Sequence, residues 1–90
     1  MDEVTTSVYE NMAEEVIHVY PSPAADIIFV SITGELHFRL KIYAMAGACL
    51  LQKELNQGLN EIDIGLLTHG IYLIQITGKD IILNKKLIKE

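Results

Sequence analysis

Gly70–Glu90, GIYLIQITGKDIILNKKLIKE, is the stretch from which the rest of the chain is best read. Tyr72, Ile74 and Ile76 alternate with Ile71, Leu73 and Gln75. That period of two marks a strand, because successive side chains of a strand point to opposite faces. Thr77-Gly78-Lys79-Asp80 then supplies a turn, with Gly78 able to take a positive φ that other residues resist. A second apolar stretch, Ile81–Leu83, runs into Asn84-Lys85-Lys86 and ends in Leu87-Ile88-Lys89-Glu90. The segment is a β-hairpin with a basic end.

The same alternation recurs upstream. In ELHFRLKIY, Glu35–Tyr43, the residues Leu36, Phe38, Leu40 and Ile42 face one way, and His37, Arg39, Lys41 and Tyr43 face the other. One face meets a core and one meets water, as in an antiparallel sheet. Ile17–Tyr20 is a short strand that Pro21-Ser22-Pro23 stops, since proline cannot donate to a ladder. Ala24-Ala25-Asp26 completes that loop, where the Asp26 side chain is expected to accept from nearby amides. Ile27–Ile32, Ala48–Leu55 and Leu59–Ile64 are the remaining strands, separated by Thr33-Gly34, by Ala44–Gly47 and by Asn56–Gly58. Leu66 or Leu67 is expected to tuck under the connection from Gly65 to His69.

Seven short strands in about 75 residues, with no sustained helical period after Val16, predict an all-β fold. The expected architecture is a seven-stranded antiparallel immunoglobulin-like β-sandwich, with a small barrel as the alternative. The Cys…Trp…Cys core of antibody domains is absent, since the chain has one cysteine and no tryptophan. Residues 16–90 form this single domain. Residues 1–15 hold Asp2, Glu3, Glu10, Glu14 and Glu15 without a Lys or Arg, and read as an acidic linker or tail, disordered or partly helical.

Composition narrows function by exclusion. The net charge of −5 resides in residues 1–15, and the remainder balances to zero. That leaves no broad basic face for nucleic acid, and no nucleic-acid partner is expected. A lone Cys49 excludes an intramolecular disulfide and a cysteine zinc cluster. His18, His37 and His69 lack metal spacing, Ser22 and Ser31 lack a nucleophile-elbow context, and no glycine-rich phosphate loop is present. Glu61 and Asp63 share a strand face, where solvated charges are the ordinary finding. No catalytic residue, cofactor or metal is expected. Lys85, Lys86 and Lys89 either guard an edge strand against pairing or form a recognition tag. Edge strands and Cys49 are compatible with a homodimer.

Four motifs in order carry a resemblance. They are Val19-Tyr20-Pro21-Ser22-Pro23-Ala24 with Asp26; Leu40-Lys41-Ile42-Tyr43 with Gly47; Ile62-Asp63-Ile64 with Leu67; and Gly70–Ile76 closing with Lys85-Lys86-Leu87-Ile88-Lys89. Over residues 17–90 the chain resembles the C-terminal sorting domain of the type IX (Por) secretion system of Bacteroidetes. It departs from the usual pattern at Ser22, Ala44, Gly65 and His69, all in or beside loops.

The resemblance implies an immunoglobulin-like sandwich without catalytic activity. It also implies an attached N-terminal cargo domain, transit through the periplasm, recognition by the outer-membrane type IX translocon, and delivery to the cell surface or medium. A sortase-like peptidase then removes the domain. Gly70, Tyr72, Lys85, Lys86 and Lys89 become the expected translocon-recognition residues, and Pro21, Pro23, Asp26 and Gly47 the structural turn positions. The start, MDEVTTSVYENMAEEV, has neither a basic nor an apolar leader region. The chain is therefore expected to be a C-terminal piece of a longer exported protein, with the cleavage region in residues 1–15. An accessory module binding protein or carbohydrate is the alternative.

Overall fold

The computed structural model describes residues 16–21, 23–34, 37–79 and 81–90. The linker reading of residues 1–15, and the roles given to Ser22, Glu35, Leu36 and Asp80, lie outside these. Seven strands follow in order: β1 (Ile17–Tyr20), β2 (Ile27–Ile32), β3 (Phe38–Ala44), β4 (Cys49–Leu55), β5 (Gly58–Asp63), β6 (Gly70–Thr77) and β7 (Ile82–Lys89). They form two antiparallel sheets, β1-β2-β5 and β4-β3-β6-β7. The chain changes sheet between β2 and β3, again between β4 and β5, and again between β5 and β6. This is the immunoglobulin-like sandwich that the alternation implied, and the barrel is set aside.

Patterning explains the core. Phe38, Leu40 and Ile42 of β3 are buried, as are Tyr72, Ile74 and Ile76 of β6 and Leu83 and Leu87 of β7. Ile28, Val30 and Ile32 of β2, with Ile17 and Ile62, cover them from the other sheet. Arg39 and Lys41 stay on the outer face of β3, where Arg39 and His37 both bond Glu54 at the edge of β4, at 2.7 and 2.8 Å. A register shift between Ile42 and Tyr43 bends the β3–β4 pair. The turn that follows is closed by Gly47 N donating to Ala44 O at 2.8 Å, with Gly47 at φ +105°.

Two expectations are corrected. Gly78 does not adopt a left-handed φ. It is needed because a Cβ there would meet Phe38 Cε1 at 2.5 Å, so the hairpin packs on a ring with no room for a side chain. Among the described residues the Asp26 carboxylate accepts no amide hydrogen bond; the main-chain oxygen of Asp26 takes the Ile64 amide at 2.8 Å instead. The turn-capping work is done by Asp63, whose Oδ1 accepts from Gly65 N at 2.8 Å. The hairpin forms as expected, with its basic end fully paired: β7 matches β6 residue for residue from Ile82↔Thr77 to Lys89↔Gly70. Of the two leucines in the long connection, Leu67 packs against the core while Leu66 is fully exposed.

Candidate recognition surface

The β6–β7 hairpin is held at its far end by a corner and a clasp. The corner is Tyr72, whose ring is 8% exposed and whose hydroxyl donates to Thr68 O at 2.6 Å. A tyrosine near the start of this strand, bonding back to the preceding turn, is a recurring feature of immunoglobulin-like sandwiches. Gly70, at φ +150°, opens the strand beside it and pairs with Lys89. No side chain crowds Gly70, so a substitution there would strain the backbone alone.

The clasp comes from the loop between β1 and β2. Ala24 lies parallel to the end of β7: its amide donates to Ile88 O at 2.8 Å, and its carbonyl accepts from Glu90 N at 2.8 Å. Ala24 is wholly buried, while Pro21 and Pro23 on either side of Ser22 are exposed. The Tyr20–Pro21 peptide is cis. Two motifs more than sixty residues apart in sequence thus form one pole of the molecule.

The three lysines do not share a surface. Leu83, Lys85, Leu87 and Lys89 alternate inward, and Asn84 and Lys86 outward. Lys86 is exposed beside a groove of about 430 Å³ lined by Tyr43, Met45, Ile71 and Leu73. Lys85 is half-buried in a slot of about 310 Å³ between the sheets, bounded by Val19, Pro21, Ile74 and Leu87. Lys89 is only 7% exposed, so it does not stand in water as a solvated edge charge would. Its Nζ donates to the main-chain oxygen of Glu90 at 3.0 Å and lies 3.9 Å from Asp26 Oδ1. Those two oxygens offset the burial of the ammonium, which would otherwise cost several kcal/mol by a rough count.

Of the expected recognition residues, the fold gathers Gly70, Tyr72 and Lys89 at the clasped pole. Lys85 and Lys86 sit farther along β7 on opposite faces. Gly47, in the turn after β3, lines the groove that Lys86 borders. What the motif search missed is the clasp itself, because the bonds of Ala24 are main-chain bonds that leave no residue-type signal. Among the described residues no three His, Cys, Asp or Glu side chains gather as a metal site.

Fold and surface together define an immunoglobulin-like module whose distinctive residues converge on its last hairpin. The family model for the secretion system C-terminal sorting domain matches residues 18–90, and the chain belongs to that family, the type IX sorting domains. Such a domain is a secretion signal and not a catalyst. The chain is also similar to an endo-acting ulvan lyase of Formosa agariphila, 35% identical over 65 residues. That match covers 71% of this chain and 13% of the lyase, so the chain spans a small fraction of its relative.

Proposed function

We propose that this chain is the export address of a longer cargo protein, joined through residues 1–15 and carried through the periplasm to the outer-membrane type IX translocon. The observation that carries the reading is the family match over residues 18–90, laid on a sandwich whose final strand is laddered along its whole length. The translocon reads the final hairpin through Lys85 and Lys86, with Gly70, Tyr72 and Lys89 holding the clasped end that keeps the strand in place. A sortase-like peptidase then cuts in the acidic segment before Val16, leaving the cargo on the cell surface or in the medium. The relative's lyase activity supports an enzyme as one kind of cargo.

The test is a fusion of residues 1–90 behind a signal peptide and a reporter in a type IX-competent host. The intact fusion is expected at the cell surface, and a fusion ending before Lys86 is expected to stay in the periplasm. Equal export of both would refute the reading.

A further inference from the structure

Among the described residues, the outer edge of β7 is open except where Ala24 pairs with its end. Ile88 O and Glu90 N both bond Ala24, so the main-chain groups of these residues point away from β6. Main-chain direction alternates along a strand, and Lys86, Asn84 and Ile82 therefore point their N–H and C=O groups the same way. Among the described residues β7 is the last strand of its sheet, and Ala24 pairs with it only at its end. The edge is long, unbulged and free of proline, which is the form a sheet offers to an added strand.

One feature qualifies that openness. Lys85 projects into the slot beneath the edge and has no ion-pair partner among the described residues. An inward lysine on an edge is ordinarily a guard against unwanted pairing. Here the guard is selective. A second copy paired antiparallel with Lys85 opposite Lys85 would set two lysines against each other and be repelled. A strand bringing a carboxylate would be admitted and held, because Val19, Pro21 and Leu87 lower the local dielectric around the pair.

The geometry points to the free edge of β7 as a strand-docking site, whose occupant is an extended segment of a partner protein carrying an acidic residue opposite Lys85. The proposal rests on the sorting reading above and names how the receptor takes hold: main-chain bonds to Asn84 and Lys86 give affinity, and Lys85 gives selectivity.

Two arms test it. In solution, the full chain is mixed with a short alternating Thr-Val peptide bearing a central Glu, and with the same peptide bearing a central Lys. The Glu peptide is expected to protect the Asn84 and Lys86 amides from hydrogen exchange, and the Lys peptide to bind roughly tenfold more weakly or worse. Lys85→Glu is expected to invert that order, while Lys85→Arg keeps it. Protection without any peptide at high protein concentration would instead name a second copy, and no protection with either peptide would reject the docking site.

In the export assay, Asn84→Pro removes an outward N–H without touching the ladder to β6. It is expected to abolish surface display while the melting temperature stays near that of the parent. Normal display of a folded Asn84→Pro fusion would overturn the proposal. If the parent fusion itself is not exported, the sorting reading fails, and the docking site is decided by the peptide arm.

Discussion

Gly78→Ala sets two physical effects of opposite sign against each other. Gly78 does not sit in the left-handed region, so alanine can adopt its backbone. By unfolded-state entropy alone such a change stabilises by about 0.4–1 kcal/mol. Against this, the new Cβ would lie 2.5 and 2.6 Å from Cε1 and Cδ1 of Phe38, a ring only 2% exposed. Forcing a methyl into a filled core costs about 1–3 kcal/mol. The steric effect should win, for a net loss of roughly 1–2 kcal/mol, or about 4–8 °C in Tm per kcal/mol in a domain of this size. The assay is urea unfolding of Gly78→Ala, Phe38→Leu and the double variant. Phe38→Leu alone costs on the order of 1–2 kcal/mol through the cavity it leaves. Together they should lose about 1 kcal/mol less than the sum of the singles, since the smaller side chain vacates the space the methyl needs. A Gly78→Ala protein as stable as its parent, or strict additivity with Phe38→Leu, would refute the packing role of this glycine.

Other outcomes follow from the same geometry. Tyr72→Phe keeps the ring and loses the bond to Thr68 O, so unfolding free energy should fall by about 1 kcal/mol, read by chemical denaturation. Leu66→Ser should leave Tm unchanged, because Leu66 is fully exposed, whereas Leu67→Ser should lose about 1–2 kcal/mol through its contact with the core. The Glu54 carboxyl is held below its ordinary value of 4.5, first by the Arg39 hydrogen bond and then by that of His37. Its folded pKa is depressed, so its stabilisation is complete above the ordinary carboxylate range and is lost as pH falls through the lowered value. The pair is exposed and screened, so the effect is small; an NMR titration should find the Glu54 pKa raised in Arg39→Met, and an unchanged value would disprove the assignment.

Alternation made the sandwich legible, because a face that must be buried writes itself into every second residue. The interiors of β3 and β6 could be named from sequence for that reason. What sequence reading missed is main-chain or steric in origin. Ala24 is an unremarkable small residue, yet its amide and carbonyl hold the end of β7. Gly78 looked like a turn residue because glycine often is one, but the ring that excludes a side chain there belongs to Phe38, forty residues earlier. Asp26 and Asp63 both stand beside turns, and composition alone gives no way to tell which carboxylate caps one. Asn60 gives no residue-type signal of its role, although its side chain bonds Asn56 and reaches Val30 O at 3.1 Å, tying the β4–β5 turn to β2. The lysines were legible as a cluster and illegible as a surface, since β7 sends Lys85 and Lys86 to opposite faces.

The direction of the strands bears on how one address can serve unrelated cargoes. β1 starts at Ile17, which pairs with Ile32, and Ile32 pairs with Gly58 at the start of β5. It ends at Tyr20, beside the loop whose Ala24 clasps Lys89. β7 likewise runs toward that loop. The chain therefore enters the sandwich at one pole and finishes at the other, along a body 37 Å in its longest extent. A cargo attached before Val16 would lie beyond the entry pole, away from Gly70, Lys89 and the corner at Tyr72. The open edge of β7 runs along the side between the two poles, so an added strand would approach laterally and need not pass the cargo. If the edge of β7 is the surface recognised, the fold of the cargo would not enter recognition. The remaining demand would fall on whatever joins the cargo to Val16, which would have to hold it clear of the edge near Ile82.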